Sequence, residues 1–180
     1  IPLLLNGRHD IIGQAQTGTG KTAAFGLPLI EMLKKNSKKV QALILTPTRE
    51  LALQVSEEIC SLQGEKKLRV ISVYGGQSMR DQLRNLKDGA AIVVGTPGRI
   101  LDHLERKSLD LSELSHIVLD EADEMLNMGF IDDVKAILDV SNPERRMLLF
   151  SATMPKRLMD IADKYMQDRK LVQVKQEQMT

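Results

Sequence analysis

The chain has 180 residues, 42% of them hydrophobic and 27% charged, and its 25 basic and 24 acidic side chains leave a net charge of +1. Those values suit a globular domain with room for one substantial core, and they exclude a protein that grips nucleic acid by overall charge. No Trp, three Phe and two Tyr argue against an aromatic stacking platform for bases; the single cysteine, Cys60, excludes an internal disulfide and points to a reducing, cytoplasmic setting.

The chain starts at Ile1 in mid-pattern and without a methionine, which suggests a piece of something longer. Leu3-Leu4-Leu5 is too short for a signal-peptide core, and no apolar run approaches the roughly 18 residues that span a bilayer. Short apolar runs alternate with amphipathic segments, which predicts an α/β fold with a mostly parallel central sheet and helices on both faces. In chain order, strands are predicted over Asp10–Ala15, Val40–Leu45, Leu68–Tyr74, Ala90–Val94, His116–Leu119, Met147–Phe150 and Leu171–Val174. Helices are predicted over Lys21–Lys34, Arg49–Leu62, Ser78–Leu86, Arg99–Glu105, Glu124–Leu138 and Pro155–Met166. Leu51, Val55, Ile59 and Leu62 give the second of these an apolar face at helical spacing. Cys60 falls in the same pattern and reads as a small half-buried hydrophobe. His9, His103 and His116 have no metal-ligand spacing, the methionines read as core filling, and the basic run Lys34–Lys39 reads as a solvated loop.

Several strands end in small or phosphate-friendly clusters, which share one edge of the sheet if the strands are parallel. The first is Ala15-Gln16-Thr17-Gly18-Thr19-Gly20-Lys21-Thr22. Its glycines allow backbone N–H groups to cradle an anion at the start of a helix. Lys21 would reach the β- and γ-phosphates of a nucleotide, and the Thr22 hydroxyl would ligate magnesium. Ala15 stands where the general pattern has Gly; Ala resists left-handed backbone angles, so the loop is expected to be entered from a strand-like residue. Asp120-Glu121-Ala122-Asp123 ends the apolar run His116–Leu119, which predicts an acidic cluster at a strand's C-terminal end, where open parallel sheets bind ligands. Asp120 suits a magnesium partner through water, and Glu121 suits orientation or deprotonation of an attacking water.

With these residues in view, the chain resembles the first RecA-like domain of a DEAD-box RNA helicase. Ala15–Thr22 (AQTGTGKT) matches motif I, in which an opening Ala is usual. Pro47–Ala52 (PTRELA) matches motif Ia, Thr96–Arg99 (TPGR) motif Ib, Asp120–Asp123 (DEAD) motif II and Ser151–Thr153 (SAT) motif III, and Gly75-Gly76 resembles the family's glycine doublet. The resemblance implies ATP and Mg2+ as cofactors, with Lys21, Asp120 and Glu121 in catalysis. It also implies sequence-independent RNA-backbone contacts from Pro47, Thr48, Arg49, Gly75, Gly76, Thr96, Pro97, Gly98 and Arg99, and coupling of the ATP and RNA sites through Ser151, Ala152 and Thr153, by hydrogen bonding to the acidic motif. The same resemblance makes residues 1–180 a single, monomeric RecA-like domain. It would lack the glutamine segment upstream of motif I and a second RecA-like domain carrying an arginine finger, and so hydrolyse ATP poorly alone. Two other readings fit part of the pattern: a DNA-directed translocase and a non-catalytic, nucleotide-gated scaffold. The Asp-Glu-Ala-Asp spelling favours RNA, and intact Lys21, Thr22, Asp120 and Glu121 argue against the scaffold.

Overall fold

Four-residue runs such as Ala42-Leu43-Ile44-Leu45 and His116-Ile117-Val118-Leu119 are buried along their whole length. Strands of that kind need cover on both faces, which is the condition of an interior parallel strand. In the computed structural model, which describes residues 1–16, 20–35 and 37–173, seven strands form one sheet: β1 (Ile11–Gln14), β2 (Ala42–Leu45), β3 (Val70–Val73), β4 (Ile92–Gly95), β5 (His116–Leu119), β6 (Arg146–Ser151) and β7 (Lys170–Gln173). The order is β3-β4-β2-β5-β6-β1-β7, and every pairing is parallel. The helices are α1 (Pro2–Asn6), α2 (Lys21–Met32), α3 (Arg49–Leu62), α4 (Met79–Lys87), α5 (Pro97–Glu105), α6 (Ala122–Asn127), α7 (Ile131–Val140) and α8 (Lys156–Tyr165).

Alternating strand residues feed two cores, one on each face of the sheet. Leu43, Leu45, Val93, Ile117, Leu119 and Leu149 pack with Ile100, Met125, Val134, Ile137, Leu158 and Ile161 from α5–α8. Ala42, Ile44, Ile92, Val94, Val118 and Leu148 pack with Leu4 of α1, Phe25 and Leu29 of α2, and Val55 and Ile59 of α3. Gly13 belongs to this face by necessity, because a Cβ there would lie 2.6 Å from the Phe150 ring.

Three expectations are corrected, and one element is new. The helix predicted over Glu124–Leu138 is two helices, broken at Gly129 (φ 80). Gly129 N–H donates to Leu126 O (3.1 Å) and Phe130 N–H to Met125 O (2.9 Å), which closes α6 with a left-handed cap. Cys60 is exposed: the buried stripe of α3 is Ala52, Val55, Ser56 and Ile59, and the next residue turns away from it. The helix predicted to Lys34 ends at Met32, where Leu33 turns extended. The short α1 was not anticipated; Arg146 Nη1 donates to its Leu4 carbonyl (2.7 Å), while Arg146 Nη2 donates to His9 O (2.8 Å). Val174, the predicted end of the last strand, lies outside the described residues.

Candidate nucleotide site and nucleic-acid interface

Because all strands run the same way, the residues that follow them meet at one edge. Along that edge the turns after β3, β4 and β2 lie to one side, and those after β5, β6 and β1 to the other. The second half holds the nucleotide candidates. Ala15 extends β1 by donating its N–H to Ser151 O (3.1 Å), so the loop does start from strand backbone. Gln16 is exposed, and Thr17, Gly18 and Thr19 lie outside the described residues. Gly20 has φ 75 and ψ 22 as the residue before α2, a left-handed conformation suited to glycine. Lys21 and Thr22 then open the helix.

Lys21 points at the acidic cluster. Its Nζ lies 3.3 Å from Asp120 Oδ1 and 4.0 Å from Glu121 Oε1. Asp120 is only 4% exposed and is tied to the sheet by its N–H bond to Leu45 O (2.9 Å). Among the described residues its Oδ1 takes no hydrogen bond, although it is in ion-pair range of Lys21. Burial pushes the Asp120 carboxyl above its ordinary range, against the pull of the Lys21 ammonium. Burial also raises Glu121; Lys21 opposes this, and the charges of Asp120, Asp123 and Glu124 add to it. Glu121 sits in the left-handed region (φ 51, ψ 51) just before α6, a strained place for a non-glycine residue. A cavity of about 250 Å³, lined by Lys21, Thr22, Val55, Glu58, Asp120 and Glu121 among others, opens between α2 and α3 at this point.

The hydrogen bonds expected between the acidic motif and Ser151–Thr153 run through Asp123, which sequence reasoning had not singled out. Its N–H donates to Ser151 Oγ (3.2 Å), and its Oδ2 accepts from Thr153 N–H (3.2 Å) and Thr153 Oγ1 (3.1 Å). Ser151 Oγ in turn donates to Thr153 O (2.6 Å). Ala152 is exposed, and its carbonyl accepts from Gln14 Nε2 (3.3 Å). The turns after β5, β6 and β1 are thus laced together.

The other half of the edge gathers the candidates for RNA contact. Thr48 caps α3, its Oγ1 accepting from Leu51 N–H (3.2 Å), and Arg49 follows on the exposed first turn. Pro47 is buried behind them. Arg49 lies over the Tyr74 ring, 5.2 Å from its centroid. Gly75 and Gly76 are exposed, with φ 85 at Gly76. Thr96 donates its N–H to Val73 O (3.1 Å), Pro97 opens α5, Gly98 is exposed, and Arg99 Nη1 donates to Gln77 O (3.1 Å). Two guanidinium groups therefore flank one glycine turn. Sequence reasoning also missed Tyr74 and the buried Gln82 and His103 behind the turn, since only the pairing of β3 with β4 brings α4 and α5 together.

The all-parallel sheet, with Lys21 at the head of a helix and two carboxylates at a strand end of the same edge, is that of a RecA-like α/β domain. The chain belongs to the DEAD/DEAH box helicase family, whose model matches residues 1–161. It is 57% identical over 180 residues to the ATP-dependent RNA helicase CshA of Listeria monocytogenes, covering 100% of this chain and 34% of that protein. It is 54% identical over 175 residues to a probable ATP-dependent RNA helicase of Methanocaldococcus jannaschii, covering 97% and 47%. The crystal structure of a DEAD box protein from Methanococcus jannaschii superposes with a TM-score of 0.94 at 53% identity, over 97% of this chain and 47% of that one. The chain thus spans about a third to a half of these proteins' length. Among the described residues no helix is long and apolar enough to cross a membrane.

Proposed function

We propose that this chain is the ATP-binding, N-terminal RecA-like domain of an ATP-dependent RNA helicase, acting in the cytoplasm with a second RecA-like domain. The observation that carries the reading is the meeting of Lys21 with Asp120 and Glu121 at the sheet edge, within 3.3 and 4.0 Å. A lysine placed so can exchange carboxylates for nucleotide phosphate, and the N-terminal end of α2 adds its dipole to the attraction.

A buried carboxylate oxygen that takes no hydrogen bond among the described residues, in a cavity that Thr22 also lines, fits a divalent cation. Thr22 and Asp120 would hold Mg2+, Asp120 through water, and the ion would neutralise charge on the phosphates. Glu121, held at the end of the same strand, would orient the attacking water and accept its proton. Arg49, Arg99 and the backbone around Gly76 and Gly98 would bind RNA phosphates and sugars without reading bases. The bonds of Asp123 to Ser151 and Thr153 offer a route by which a change at the acidic motif moves the next strand end. An arginine supplied from a second domain is worth roughly 10³–10⁵ in turnover in such sites, so the chain alone should turn over slowly.

Calorimetric titration with Mg-ADP and Mg-GDP, beside a folded Lys21→Ala control, tests the reading. Binding that the Lys21 change abolishes supports the phosphate site; no binding of either nucleotide at millimolar concentration would overturn it. Comparing RNA and DNA of one sequence as ATPase activators separates an RNA helicase from a DNA translocase.

A further inference from the structure

Gln82 of α4 is wholly buried (0% exposed) behind the interface, and its amide uses its full hydrogen-bonding capacity. Nε2 donates to Tyr74 O (2.8 Å) and to Gln77 Oε1 (2.8 Å), while Oε1 accepts from Arg99 Nη1 (3.1 Å) and from His103 Nε2 (2.9 Å). Two donors and two acceptors meet the amide, so its orientation is fixed. Oε1 can only accept, so His103 carries its proton on Nε2, and its Nδ1 faces Ser108 Oγ at 2.8 Å. Burial and the Arg99 and Arg106 charges hold His103 below its ordinary range, which keeps it neutral.

The partners of this amide are the parts that carry the interface. Tyr74 O starts the glycine turn, and the Tyr74 ring lies under Arg49. Both hydrogen bonds of Arg99 leave from Nη1, to Gln77 O and Gln82 Oε1; among the described residues its Nη2 and Nε make none. We propose that Gln82 is the positioning residue of the RNA interface, locking the glycine turn to Arg99 so that Arg49 and Arg99 present their charges as one fixed pair to a single-stranded RNA backbone. The inference rests on the reading of Arg99 as an RNA contact. A preorganised guanidinium loses less freedom on binding than a mobile one. Neither methionine nor glutamate replaces this amide: methionine supplies no hydrogen bond, and an ionised glutamate would face Tyr74 O and Gln77 Oε1 with no proton to give.

The test is a double-mutant cycle on this chain, read by fluorescence anisotropy of labelled single-stranded oligouridylate at low salt, with Mg-ADP affinity and thermal unfolding measured on every variant. Gln82→Met is expected to weaken RNA binding about five- to tenfold, the loss of a charge-assisted hydrogen bond and its ordering, and to leave ADP affinity within about twofold. In the Arg99→Ala background the same change is expected to cost less than about twofold, because the partner it acts through is gone. Full additivity, or an equal loss of ADP affinity, would overturn the proposal as a mere loss of fold. Arg99→Ala without effect would overturn the reading of Arg99 itself, whereas an effect of Arg99→Ala with none of Gln82→Met would overturn the Gln82 proposal alone. NMR of the unmodified chain gives an answer even if Gln82→Met fails to fold. A held Arg99 guanidinium shows separate, slowly exchanging Hη signals; a single averaged signal would refute the lock.

Discussion

Glu121 carries two costs, one in its backbone and one in its carboxyl. Its backbone is left-handed at φ 51 and ψ 51, a conformation worth about 1–3 kcal/mol of strain for such a residue. Its carboxyl is raised first by burial, beside Asp120, which is raised for the same reason. Glu121→Gly removes the backbone cost and is expected to stabilise the ligand-free chain by about 1 kcal/mol, while abolishing hydrolysis in a two-domain protein. Glu121→Gln is expected to abolish hydrolysis without that gain; equal stability of the two variants in urea would show that the backbone is not strained. Asp120 supplies a pH signature. A folded-state pKa above the unfolded one means that the folded chain holds the proton more tightly, so this group's contribution is greatest below the ordinary carboxylate range and is lost as pH rises through the folded value. The melting temperature of Asp120→Asn relative to the unmodified chain is therefore expected to rise from acid towards neutral pH. A difference that shrinks over that interval would mean that the Lys21 ion pair outweighs burial.

Two glycines separate two ways in which an element can depend on a missing side chain. At Gly95, the last residue of β4, a Cβ would lie 2.5 Å from Val73 O and 2.7 Å from Ile100 Cδ1. Backbone of the next strand cannot yield cheaply, so Gly95→Ala is expected to cost roughly 1–3 kcal/mol. It should also weaken RNA binding, because Thr96 to Arg99 follow at once. At Gly129 nothing lies within 4 Å of the added carbon, and only the φ of 80 resists it. Gly129→Ala is expected to cost about 1–2 kcal/mol and leave RNA binding alone; a urea titration beside the anisotropy assay checks both. These positions also show what the sequence made legible. The strands were found because runs such as Ile92-Val93-Val94 are apolar throughout, whereas their ends shifted by a residue or two because pairing, not composition, decides them. The α6–α7 break was legible in principle from Met128-Gly129-Phe130, but the apolar period continues across it and hid it. The five-residue α1 is too short for a helical period to register. Residues of the candidate site were legible where a single residue carries recognisable chemistry at a strand end, as with Lys21, Asp120 or Arg99. Gln82 and His103 lie 21 residues apart and meet only across packed helices, so neither could be read from its neighbours.

At the scale of the whole molecule, the strand order divides the candidate residues of one edge into two groups. The turns after β3, β4 and β2 carry the RNA candidates, those after β5, β6 and β1 carry the nucleotide candidates, and β2 and β5 are the neighbours at the border. There Asp120 N–H is bonded to Leu45 O, so the first magnesium candidate hangs on the strand that delivers Arg49. With a net charge of +1, the molecule has no broad field to steer RNA, and on the proposed reading attraction would come from the local guanidinium pair. That makes the salt dependence of binding a count of contacts. For single strands each neutralised phosphate contributes a slope of about 0.7 in the logarithm of affinity against the logarithm of salt. Arg49 and Arg99 together should therefore give a slope near 1.4 by the same relation, with the basic run around Lys34 to Lys39 adding nothing. Arg49→Ala is expected to lower the slope by about 0.7, and Lys38→Ala with Lys39→Ala to leave it unchanged. A slope of about 3 or more that fell on removing Lys38 and Lys39 would mean that RNA also reaches the opposite edge of the sheet, where those lysines precede β2, and that the division of labour along one edge is wrong.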